Sequence, residues 1–188
     1  MMARMARKNR FRRRGVTLVE VSIVVVMVGV LAVLAVVGYA RYRRLARMAE
    51  ATNLVTGIRA EQEAYKTERG LYWQASSSKT SYYPSPNPGA FLTAWGGPCG
   101  SCIKPDAWTK LNVHPDKPVM YGYATIAGVG EEIVGNHESS TPGTCQAIGP
   151  TDPYYVIQAQ GDTNGDGVSS TVVALSCSTT LLITNEGE

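Results

Sequence analysis

The 188-residue chain has room for one modest domain and an accessory segment, and 44 % of it is hydrophobic, an ordinary share for a globular protein. Its net charge of +3 is unevenly placed: residues 1–15 hold seven basic residues and no acid, residues 41–47 hold four arginines, and beyond Met48 there are 7 basic against 14 acidic residues, a balance of −7. That balance argues against a basic nucleic-acid-binding surface on the larger, C-terminal part, so no specific nucleic-acid partner is expected.

The basic residues at the start, Arg4 to Arg14, lead directly into an uncharged apolar run over residues 21–39. At about 1.5 Å rise per residue this run matches the ~30 Å hydrocarbon core of a bilayer. A secretory signal would have a shorter apolar core and a small-residue cleavage site, and neither is present. Seven positive charges precede the run and four follow it (Arg41, Arg43, Arg44, Arg47), which places the N-terminus in the cytoplasm and the remainder outside. One acid, Glu20, stands at the start of the run. A carboxylate in hydrocarbon costs on the order of 2.5–3.5 kcal/mol, so it requires either a cationic partner or a place at the helix N-terminus, where the dipole favours it.

The stretch Gly15-Val16-Thr17-Leu18-Val19-Glu20, basic before and apolar after, resembles the signal of type IV prepilins. The resemblance implies that a prepilin peptidase cuts between Gly15 and Val16 and methylates the new amine of Val16. It also implies that Glu20 pairs with the Val16 amine of a neighbouring subunit and sets the stagger of assembly. Two departures are Val16, where the family usually has Phe, and Val37, where many members have Pro. The resemblance implies a leader over 1–15, removed by cleavage, a transmembrane or filament-core helix over 16–40, an amphipathic helix over 41–72, and a β-rich head over 73–188. The fold class is α+β: a long N-terminal helix packed on a small antiparallel sheet.

In the amphipathic part, Leu45, Met48, Thr52, Val55, Ile58, Gln62 and Tyr65 recur at spacings of three and four, a stripe that packs on the head. Arg43, Arg44, Arg47, Glu50, Arg59, Glu61 and Glu63 fall on the other faces, and Gly70 is the predicted stop. The basic residues from 41 to 47 suit anionic headgroups before assembly, acids of neighbouring subunits afterwards, or simply solvent. Residues 73–98, rich in Ser, Pro, Gly and Tyr, read as an irregular connection over the surface.

Four cysteines, Cys99, Cys102, Cys145 and Cys177, all lie beyond the apolar run and are read as two disulfides with three possible connectivities. Cys99-Gly100-Ser101-Cys102 also fits a redox pair or half a zinc site, but Pro105 interrupts the helix a redox pair would use and no second close pair exists. Residues 106–111 are predicted to form a helical turn and residues 119–126 a strand. The run from Trp108 and Leu111 through Pro115, Pro118, Val119 and Tyr121 to Tyr123 is similar to the core of pilin-like proteins of the myxobacterial type. Strands are also expected over 154–160, 171–177 and 180–184, paired in sequential antiparallel order. Between the first two of these, Asp162, Asn164 and Asp166 alternate ahead of Gly167, which resembles the first half of an EF-hand loop. With the carbonyl of Val168 they would offer four oxygens to Ca²⁺. Position twelve is Val173 and the bidentate Glu is missing, so affinity would be weak, about 10⁻⁴–10⁻³ M. The same residues are good hairpin formers on their own.

His114 and His137 stand alone, and no nucleophile–base set, phosphate-binding glycine loop or HExxH motif occurs, so no enzyme is expected. The functional expectation is a structural subunit of a type IV pilus-like filament, major or minor, or a pseudopilin of a type II secretion system. Its partners would be the prepilin peptidase, the bacterial inner membrane that holds the precursor, and other subunits of an extracellular pilus or periplasmic pseudopilus. A different class is a periplasmic redox or metal-binding module on a permanent membrane anchor, for which the CxxC would serve.

Overall fold

A computed structural model describes residues 15–89, 91–96, 105–130, 149 and 151–186. The basic leader ahead of Gly15, the cysteines Cys99, Cys102 and Cys145, and His137 lie outside these residues. The elements are α1 (Leu18–Arg69), α2 (Pro105–Thr109), β1 (Gly122–Val129), β2 (Pro153–Gly161), β3 (Ser170–Leu175) and β4 (Leu182–Thr184). The chain divides into two compact units, Met1–Ala40 and Arg41–Glu188.

Within the first unit, α1 is apolar on every face. Its large side chains from Leu18 to Val37 are between 50 and 84 % exposed, and the stretch is long and apolar enough to cross a membrane. A helix that is hydrophobic all round is not built to face water. Its length, composition and place near the N-terminus are compatible with a membrane anchor or a signal.

In the second unit α1 becomes one-sided. Met48, Ala51, Val55, Ile58 and Gln62 are buried at spacings of three and four, the stripe that puts one face of a helix on a core. Ala51 belongs to it, whereas Leu45 is 40 % exposed. The helix ends at Arg69 because Gly70 takes φ +79°, where a side chain would be strained, and its N–H closes on the Lys66 carbonyl at 2.7 Å.

The sheet has the order β1-β2-β3-β4, antiparallel throughout, with Ile126 opposite Val156 and Val156 opposite Leu175. Because side chains alternate across a strand, Tyr123, Tyr155, Ile157, Ala159, Val172 and Ala174 turn to one face and pack with Ala51, Val55 and Ile58 of α1. Ile126, Val156, Val173 and Leu175 form a second buried cluster, against which Cys177 and Leu182 pack. The layout is therefore α+β, with the long helix packed against a small four-stranded antiparallel sheet.

Residues 73–96 are irregular, as expected, but they do not simply cross the surface. Ala75, Tyr82 and Tyr83 are buried, Tyr83 pairs with Tyr123 at the margin of β1, and Thr93 pairs with Val119. Tyr83 stacks on Trp108 with ring centroids 5.7 Å apart, and Trp95 meets both edge-on. Of the residues of the myxobacterial-type similarity, Trp108, Leu111, Val119, Tyr121 and Tyr123 are core positions, whereas Pro115 is half-buried and Pro118 is exposed.

Candidate assembly site

Residues 15–17 precede α1, which starts at Leu18, so that Thr17 is its N-cap. The Glu20 backbone N–H donates to Thr17 Oγ1 at 3.3 Å. The Thr17 N–H and hydroxyl both donate to Glu20 Oε2, at 2.8 and 2.9 Å. This is a capping box, in which a Thr and the Glu three residues on satisfy N–H groups that the first turn leaves without partners. The signal was present in the sequence as Thr17-x-x-Glu20. The carboxylate is thus held at the helix N-terminus by the chain's own first turn.

The cap supplies dipoles but no opposite charge. Both hydrogen bonds are accepted by Oε2, and among the described residues Oε1 accepts none. Val16, Val21, Ile23, Val24 and Val25 flank the carboxylate and line a shallow groove of ≈ 630 Å³ with Gly15 and Glu20 itself. The arrangement is a single carboxylate oxygen held on a rigid helix end within an apolar surface. It can receive a cation that arrives with apolar groups around it.

No family model matches this chain, and neither the curated proteins nor the solved structures contain a significant match to it.

The acidic loop after β2 has a geometry of its own. Asp162 accepts the N–H groups of Gly165 at 2.6 Å and Gly167 at 2.9 Å through its two oxygens. Asp166 Oδ1 accepts the Val168 N–H at 2.8 Å, and Asn164 Oδ1 accepts the Asp166 N–H at 3.0 Å. The Asn164 amide donates to Asp166 Oδ2 at 2.9 Å. Gly165 and Gly167 take φ +79° and +89°, so the turn needs them as glycines. These side chains fold the loop upon itself as Asx turns do. Among the described residues no group of three or more His, Cys, Asp or Glu is placed to hold a metal ion. A cation here would be held by side chains that already hold the turn.

Two arginines read from the sequence as outer-face residues bind loops of the sheet instead. Arg47 donates to the Thr163 carbonyl at 3.1 Å, beside the acidic loop. Arg59 donates to the carbonyls of Thr179 at 2.8 Å, Ser178 at 2.7 Å and Leu175 at 3.4 Å, around the connection that carries Cys177. Cys177 is disulfide-bonded. His114 is exposed.

Proposed function

We propose that this chain is a structural, non-catalytic subunit of a type IV pilus-like filament, made as a membrane-anchored precursor with its N-terminus in the cytoplasm. A prepilin peptidase cuts after Gly15 and methylates Val16. The apolar part of α1 then moves from lipid into a bundle of identical or related helices, since both environments exclude water. The observation that supports this reading is the state of Glu20. Its carboxylate is capped through Oε2, accepts no bond on Oε1 among the described residues, and lies on an apolar helix face beside an open groove. The capping box uses one oxygen of that carboxylate and leaves the other for a partner. The cationic amine of Val16 from a neighbouring copy can bind Oε1 without disturbing the cap, so the pair forms with little reorganisation. Thr17 thereby becomes a positioning residue for assembly.

The pilus and the type II pseudopilus versions of this role use the same site, and the filament they form is extracellular in the first case and periplasmic in the second. A weak Ca²⁺ site at Asp162, Asn164, Asp166 and the Val168 carbonyl is a separate proposal, supported by the placement of these groups within one turn.

Glu20→Ala tests the central reading. The variant is expected to insert in the membrane as the wild type does, since it removes a charge from the apolar stretch, and to be absent from sheared filaments. Incorporation at the wild-type level would remove the pairing mechanism.

A further inference from the structure

The loop after β2 holds the one Asn-Gly pair of the chain, Asn164-Gly165, and both residues are exposed. Such a pair is chemically weak. Glycine has no side chain to shield its backbone nitrogen, which can attack the carboxamide carbon of the asparagine before it. The asparagine then loses ammonia and closes into a cyclic succinimide. In an unfolded chain the reaction waits for the side chain to swing onto the backbone, and for hydroxide to take the amide proton.

Both requirements are met inside this turn. Asn164 Oδ1 accepts the Asp166 N–H at 3.0 Å. The ring closed by that bond contains both the Asn164 carboxamide carbon and the Gly165 nitrogen, so the reacting atoms are held together in a tight turn. The same N–H lies on the oxygen that gains negative charge when the carbon is attacked. The Gly165 N–H donates to Asp162 Oδ1 at 2.6 Å, which sets a carboxylate on the proton that must leave. Asp162 is itself fixed, because its other oxygen accepts the Gly167 N–H at 2.9 Å. The departing nitrogen, Asn164 Nδ2, donates to Asp166 Oδ2 at 2.9 Å.

We propose that Asn164 is a site of self-modification, deamidated by its own loop with Asp162 as the general base. The Gly165 nitrogen bonds to the Asn164 carboxamide carbon and gives its proton to Asp162. The bond from that carbon to Nδ2 breaks, and the nitrogen leaves as ammonia with a proton returned from Asp162. Solvent water then opens the succinimide at either carbonyl, leaving aspartate or isoaspartate at position 164. Neither product has an N–H for Asp166 Oδ2, so two carboxylates meet where the amide had donated, and isoaspartate also lengthens the backbone. The turn is loosened, and the effect reaches α1 because the preceding residue, Thr163, gives its carbonyl to Arg47. The proposal does not depend on the filament reading.

The test follows the purified full chain, folded in detergent and unfolded in guanidinium, by peptide mapping and mass spectrometry of the loop over time. The amide-to-acid mass change at Asn164 is expected to accumulate about fivefold or more faster in the folded chain. Asp162→Asn is expected to slow the folded chain by about tenfold and leave the unfolded rate unchanged. Between about pH 6 and 8 the folded wild type is expected to accelerate less than the unfolded chain, whose rate follows hydroxide. A folded rate at or below the unfolded one overturns the proposal. So does the same pH dependence in both states, whatever Asp162→Asn does to the turn, and so does a variant that reacts as fast as the wild type.

Discussion

Gln62 stands in the buried stripe of α1, yet its side chain carries a carboxamide into the core. Its Nε2 donates to the Trp73 carbonyl at 2.7 Å and to Thr125 Oγ1 at 3.0 Å, and its Oε1 accepts the Trp73 N–H at 2.9 Å. One side chain therefore joins the helix, the first residues beyond it and β1. Gln62→Leu keeps the volume and strands at least one backbone group, so we expect it to destabilise the second unit by about 2–4 kcal/mol in chemical denaturation. A cost below about 0.5 kcal/mol would mean that water replaces these bonds. Tyr155 and Tyr72 pack edge to face at 4.7 Å, and each has its phenol pushed up to about 12, first by burial. The sign comes from linkage: the unfolded chain loses these protons first, near the ordinary value of 10.0, so stability is intact below that pH and falls as pH rises towards about 12. Thermal melts between pH 9 and 12 are expected to show the decline beginning near pH 10, and to show less of it in Tyr72→Phe. At Glu20 the sequence shows an acid needing a partner, and the Thr17-x-x-Glu20 spacing already contains the first half of the answer. The capping box and the amine of a neighbour are compatible uses of one carboxylate, since they occupy different oxygens.

The strands β2 and β3 and their antiparallel order are legible because alternation and β-branched runs report a sheet residue by residue. β1 begins three residues later than its apolar run, since residues 119–121 leave the ladder and Val119 pairs with Thr93 instead. Residues 73–96 look featureless because single bridges and aromatic stacking leave no period in a sequence. Arg47 and Arg59 are illegible for another reason: their carbonyl partners lie 116 to 120 residues away and carry no side-chain signature. The loop after β2 is legible as a turn, and its hydrogen bonds alter what a mutation there means. Asp162→Ala removes the acceptor of two N–H groups and is expected to cost about 1 kcal/mol with no calcium present. The calcium proposal therefore rests on the increment: millimolar Ca²⁺ should raise the wild-type Tm and leave Asp162→Ala unmoved. Equal behaviour of the two proteins would leave the loop as a turn alone. On the next connection, Arg59 and the Cys177 disulfide act together, and Cys177→Ser is expected to destabilise the second unit by about 2–4 kcal/mol.

For the whole molecule, the division of labour reflects the distribution of charge and apolar surface. An α1 stretch that is apolar on all sides needs lipid or like helices, while the second unit buries both faces of its sheet and carries the acidic balance. The four arginines at 41–47 stand where these two chemistries meet in the sequence. In the proposed role one helix serves as anchor and as assembly element, because removal from water is all that its apolar surface demands. The fate of the leader separates a filament subunit from a permanently anchored module. The N-terminus of the mature chain, read by mass spectrometry of protein taken from membranes and from sheared filaments, tests this most directly. The account predicts a chain beginning at Val16 with a methylated amine in both fractions, and a mature chain that still begins at Met1 would contradict it.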